Sequence, residues 1–147
     1  MAAEARAPAP SGAAGRDPPA AILETALYAP DLAAARAFYG GLIGLPVVVE
    51  APGRHVFFRC GAGMLLVFDP EATARPPGSG PPVPPHGARG PGHMCFASEN
   101  LDAWVARFTA AGVAIEADFR WPNGARSIYL RDPAGNSVEF AEPRLWG

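Results

Sequence analysis

GRHVFFRCGAGMLLVF, residues 53–68, lies without a gap over ARSIYLRDPAGNSVEF, residues 125–140, at an offset of 72. Arg54/Arg126, Arg59/Arg131, Ala62/Ala134, Gly63/Gly135 and Phe68/Phe140 coincide. Further out, ETALYA (Glu24–Ala29) lies over HMCFAS (His93–Ser98) at an offset of 69. Self-similarity at a fixed spacing is the mark of a duplicated structural unit. The unit here is about 70 residues long.

The elements around these stretches repeat in the same order. Ala21–Ala29 reads as a strand, and Pro30-Asp31 opens a helix with Asp31 at its N-cap. Leu32, Ala35, Phe38, Tyr39 and Leu42 share one helical face, and Gly40-Gly41 are expected to end it. Val47–Glu50, His55–Cys60 and Met64–Phe68 read as strands. The second half gives a strand at Gly92–Ser98 and a helix marked by Leu101, Trp104, Val105, Phe108 and Ala111, stopped at Gly112. Strands at Ile115–Trp121, Arg126–Arg131 and Ser137–Ala141 follow, the last two joined by the turn Asp132–Asn136. The fold class is therefore α+β, two tandem βαβββ modules that form a half-open, barrel-like cleft. Module 1 covers residues 20–69 and module 2 residues 92–147. Between them, residues 70–91 are so rich in proline and glycine that they are expected to be irregular, a flap as well as a linker. Residues 1–19, rich in Ala, Pro and Gly, are expected to be a disordered tail.

Composition removes several function classes. All 12 basic residues are arginine, so no lysine Schiff base, lysine general base or P-loop lysine exists. A net charge of −2 without a basic stripe speaks against a nucleic-acid partner. No apolar run reaches the length of a membrane span. The N-terminal stretch lacks the apolar segment of a secretory signal, so a cytoplasmic location with reduced thiols is expected.

The repeat also points to a site. Positions equivalent under a duplication face each other across a pseudo-twofold axis, and three polar residues interrupt otherwise apolar strands: Glu24, His93 and Glu139. Glu24 and His93 are equivalent to each other, and Glu139 is equivalent to Val67. A carboxylate inside a buried strand is costly unless paired, hydrogen-bonded or metal-bound. Two carboxylates and an imidazole that converge make a three-ligand site with open positions, which divalent transition metals accept. Taken singly, each has an ordinary reading: a solvent-facing Glu, a hydrogen-bonded core His. Cys95 shares the face of His93 by strand alternation. His86, in the flap, is placed to contact substrate or to sit solvated in its loop. His55 reads as a surface residue. Tyr28 and Phe57 supply aromatic surface for a substrate or for the core. Arg126 offers a clamp for a carboxylate substrate or a surface ion pair.

ETALYAPDLAAARAFYGGLIGLPVV, GPGHMCFAS and RDPAGNSVEFAEP together resemble the vicinal-oxygen-chelate superfamily, the glyoxalase/bleomycin resistance protein/dioxygenase group, over residues 21–147. The resemblance implies metal positions on the first and last strands of each module: Glu24, Val67, His93 and Glu139. Val67 cannot ligate a metal, and Glu24 stands where many members have His. The resemblance implies an enzyme that uses a divalent ion (Mn, Fe, Ni, Zn or Mg) to chelate vicinal oxygens of a small molecule, a lyase, isomerase or dioxygenase, with Glu24 or Glu139 as base. It also implies a homodimer whose cleft forms within one chain or across two. The alternative is a metal-free protein that sequesters a drug, as bleomycin-resistance members do.

Overall fold

The computed structural model describes residues 17–147, so residues 1–16 of the expected tail lie outside it. Eight strands form two four-stranded sheets of identical plan. The first runs β1 (Glu24–Tyr28), β4 (Gly63–Phe68), β3 (His55–Cys60), β2 (Val47–Ala51). The second runs β5 (His93–Ala97), β8 (Ser137–Ala141), β7 (Arg126–Arg131), β6 (Ala117–Arg120). In each, the first strand pairs parallel with the last and the others run antiparallel. The two sheets remain separate and do not close into one barrel.

Strand alternation divides each sheet into two faces. Leu27, Val56, Phe58, Leu65 and Val67 point to one side of the first sheet; Phe96, Ile128, Leu130, Val138 and Phe140 point to the matching side of the second. These residues join the helices in one apolar cluster, in which Phe38 stacks on Phe108 and Tyr39 meets Phe96. Truncating a ring as buried as Phe108 to Ala would cost about 3–5 kcal/mol. The opposite faces point away from the helices and carry Glu24, Tyr28, Phe57 and Phe68 on the first sheet and His93, Ser127, Tyr129 and Glu139 on the second.

The first helix, α1, begins as an α-turn at Leu32–Ala35 with the Asp31 carboxylate accepting from Ala34 N, as expected. It does not stop at the glycine pair. A π-helical stretch, Arg36–Leu42, carries it on, with Ile43 N donating to Phe38 O five residues back. Two glycines cost roughly 2 kcal/mol of helix propensity. Burial of Phe38 and Tyr39 outweighs that, and the turn is delayed to Gly44, whose φ of +91° suits glycine. The interval between modules also holds a short helix, α2 (Pro70–Thr73), capped by Asp69 Oδ1 accepting from Glu71 N and Ala72 N. The rest of that interval is irregular until β5, and α3 (Leu101–Ala110) ends before Gly112 as expected.

A buried polar latch ties the modules together. The turn after β7 places Asp132 among four donors: Tyr39 Oη at 2.7 Å, and Asn136 Nδ2, Asn136 N and Ala134 N at 2.9 Å each. Asn136 in turn donates to Tyr28 O and accepts from Gly92 N. A Cβ on Gly90 would lie 2.8 Å from Asn136 Oδ1, so the crossing requires glycine there. The DPAGN segment thus clamps the end of β1 to the start of β5.

Candidate metal centre

On the open face of the second sheet, Glu139 sits at the middle of β8, opposite Tyr129 on β7 and Cys95 on β5. It is a carboxylate with 5% of its surface exposed, so it needs partners. Oε1 accepts from Ser127 Oγ at 2.6 Å. Oε2 lies 3.4 Å from His93 Nε2. The other imidazole nitrogen, Nδ1, is 3.0 Å from Ser137 O. A carbonyl only accepts, so Nδ1 carries a proton, and Nε2 is the nitrogen turned to the carboxylate.

Two atoms of ligating type, an imidazole nitrogen and a carboxylate oxygen, therefore face each other at 3.4 Å. Only a cation, a proton or a metal, makes that contact favourable. Metal–ligand bonds of about 2.0–2.2 Å meeting near 90–109° hold such atoms about 3.0–3.4 Å apart. The donor set, the spacing and the Nδ1–carbonyl bond that orients the ring all fit two ligands of a divalent ion.

The surroundings are neutral donors and aromatic rings. Burial, then the hydrogen bond and charge of Glu139, push the Tyr129 phenol up to about 12. Desolvation, then Glu139, push the Cys95 thiol up to about 12 as well. Both are protonated at neutral pH. Tyr129 stacks between His93 and Phe119, with centroids at 6.1 and 5.8 Å. Ser127, fully buried, escaped the sequence reading; its signal is a lone hydroxyl two residues from Tyr129 on an inward strand position.

Glu24 stands apart from this pair within the chain. It is exposed at the start of β1, whereas the other end of β1, Tyr28, is the part latched beside Gly92. Glu24 and Tyr28 are four residue steps apart along the strand, roughly 13 Å. Among the described residues no three His, Cys, Asp or Glu side chains are grouped as a metal set.

Three further expectations change. Glu139 opposes Tyr129, while Phe57, the counterpart of Tyr129, opposes Leu66. The structural partner of Glu139 is thus Leu66, not Val67, which points into the core. The second hairpin has one extra residue: Asp132 and Asn136 enclose three, Cys60 and Gly63 two. Leu66, like Val67, carries no ligating atom. Arg126 falls on the helix-side face, donating to both oxygens of Asp118 and to Asp102 of α3. There it ties β6 and α3 to β7, on the face opposite Glu139. His55 is no plain surface residue; it stacks on Phe57 at 4.1 Å. Burial, then Arg54, hold its pKa below the ordinary value.

The aromatic candidates do converge, on the open face of the first sheet. Tyr28 Oη and His86 Nδ1 are 2.7 Å apart. Phe68 packs edge-on to His86 and Phe57. The flap is anchored there by His86 N donating to Thr73 O and by Arg54 donating to Ala72 O. A crevice of about 310 Å³ runs from Ala26 and Tyr28 under flap residues Arg89–Gly92 to His93.

The glyoxalase/bleomycin resistance protein/dioxygenase superfamily model matches residues 21–140. The chain belongs to this superfamily. A lactoylglutathione lyase from Agrobacterium tumefaciens is 53% identical, with a TM-score of 0.83 over 88% of this chain and 98% of that one. A glyoxalase/bleomycin resistance protein/dioxygenase from Nocardioides, 21% identical, has a TM-score of 0.68 over 87% of this chain and 86% of its own, a likeness of fold. No curated protein matches. Both four-stranded sheets have the same strand plan, and no helix among the described residues is long and apolar enough to cross a membrane.

Proposed function

We propose that this chain is a glyoxalase-type lyase that uses a divalent metal to act on a small oxygenated thiol adduct, and that the working unit is a homodimer. The observation that carries the reading is the pair of ligating-type atoms, His93 Nε2 and Glu139 Oε2, facing each other at 3.4 Å on the sheet face away from the helices. The 53%-identical lactoylglutathione lyase supports the reaction class.

His93 and Glu139 would hold the ion. Glu24, remote from them in its own chain, would join from the partner subunit, which completes the three-ligand set without bending either sheet. When bound, the ion supplies Lewis-acid polarisation of two neighbouring substrate oxygens. The chain's own residues do the rest. A carboxylate, Glu24 or Glu139, takes the proton from the carbon that bears sulfur in the hemithioacetal of a 2-oxoaldehyde and returns it to the adjacent carbon. The product is an isomeric hydroxy thioester, so no redox partner is consumed. Tyr28, Phe57 and His86 provide the apolar surface for the rest of the substrate, and the flap limits water.

The test is metal content and thioester formation, measured on wild type, Glu24→Gln and Glu139→Gln. The expected result is about one transition-metal ion per chain in wild type, lost together with activity in both variants. Mixing the two inactive variants should restore about a quarter of wild-type activity, because only mixed dimers contain one intact site. No metal after reconstitution, and no thioester, would refute the proposal. In that case the aromatic cluster of Tyr28, Phe57, Phe68 and His86 favours the metal-free, drug-sequestering reading, recognised by tight binding without turnover.

A further inference from the structure

Trp121 lies at the turn between β6 and β7, where its own N donates to Ala125 O and its carbonyl accepts from Gly124 N. That turn aims the indole inward, and Nε1 donates to Ser127 Oγ at 2.8 Å. An indole N–H can only donate. Ser127 has a single hydroxyl proton and is fully buried. With its oxygen accepting from Trp121, that proton goes to Glu139 Oε1 at 2.6 Å, in the short range of a charge-assisted bond.

We propose that Ser127 and Trp121 are positioning residues for Glu139, with Trp121 acting only through Ser127. The chain Trp121 Nε1–H, Ser127 Oγ–H, Glu139 Oε1 has one direction. It occupies Oε1 and leaves Oε2 turned toward His93 Nε2. Without it, Oε1 loses its short bond, and the last torsion of the carboxylate, which has a broad, two-fold profile, is held less firmly. The consequence for ion binding rests on the metal reading above; the hydrogen-bond chain itself does not.

The variants are Trp121→Phe, which keeps the ring and removes the donor, Ser127→Ala, and the two combined. Titration calorimetry with Zn²⁺ or Mn²⁺ reads ion affinity. Loss of such an outer partner weakens binding about 10- to 100-fold, expected for Ser127→Ala. Trp121→Phe should weaken binding by about three- to tenfold, and the double variant should match Ser127→Ala alone, as a residue acting through another must. Additive losses, or an unchanged Trp121→Phe, would overturn the proposal. A second measurement needs no metal: the Glu139 carboxyl ¹³C resonance of the metal-free protein, assigned with Glu139→Gln. It should shift in Trp121→Phe in the same sense as in Ser127→Ala. A resonance that ignores Trp121→Phe in a folded protein overturns the chain. If wild type binds neither ion, the functional reading fails, and the carboxyl resonance alone decides the positioning.

Discussion

Replacing Tyr39 by Phe removes one hydroxyl from the latch and leaves the ring in the core. The hydroxyl donates to Asp132 Oδ2 at 2.7 Å, and both residues are buried. A hydrogen bond to a charged, buried acceptor contributes about 1.5–3 kcal/mol. Asp132 keeps three other donors, so the lower half of that range, about 2 kcal/mol, is expected at pH 7. In a chain of this size that lowers Tm by about 4–8 °C. The loss also depends on pH. Burial, then Asp132, raise the Tyr39 pKa well above its ordinary value. A raised folded pKa means stability fully present below the unfolded pKa of about 10 and lost as pH rises above it, since only the unfolded phenol then releases its proton. By pH 11 that release favours unfolding of wild type by about 1.4 kcal/mol, and the Tyr39→Phe variant has no phenol to release one. Urea unfolding of both proteins at pH 7, 9, 10 and 11 should show the gap shrinking above pH 10 to about a third of its neutral value. Other tyrosines titrate in both proteins and cancel. A gap below about 0.5 kcal/mol at pH 7, or one that stays constant to pH 11, would refute the latch argument.

Other outcomes follow from the same geometry. With Cys60 replaced by Ala, Cys95 should react with iodoacetamide roughly 30- to 100-fold more slowly than an ordinary thiol near pH 8, and about tenfold faster per pH unit up to about pH 11, because its thiol is pushed up to about 12. Mass spectrometry of the adduct follows this directly, and an early plateau would contradict the assignment. Gly90→Ala should lower Tm by more than Gly41→Ala, since a Cβ at Gly90 meets Asn136 Oδ1 at 2.8 Å and one at Gly41 meets nothing. Arg126→Gln should leave KM for the thiol adduct unchanged while lowering Tm, because its partners are Asp118 and Asp102; a raised KM would return Arg126 to the substrate.

The duplication, the eight strands and the open faces were legible in sequence because strand alternation and turn residues are local signals. His93 and Glu139 stood out for the same reason: a charged or imidazole side chain in an apolar strand has few ways to be satisfied. Ser127 and Trp121 were not legible, because a hydroxyl and an indole look like packing until their hydrogen bonds are seen. The glycine pair misled about the end of α1, since core burial of Phe38 and Tyr39 overrides local propensity. The gapless alignment paired Glu139 with Val67, because one extra residue in a turn is invisible when the flanking residues still match.

The sequence by itself therefore determined the modules, their order and the residue types available for chemistry, all of which depend on neighbours in the chain. Only the tertiary structure decided which of those residues meet. It turned Arg126 to the helix, gathered His55 and His86 with Phe57 and Phe68, and seated Glu139 between Ser127 and His93. It also set Glu24 apart from them, because the Asp132–Asn136 latch joins the end of β1, not its beginning, to the start of β5. Contacts between residues distant in sequence depend on register and on which strand ends are clamped, and a periodic pattern carries no record of either.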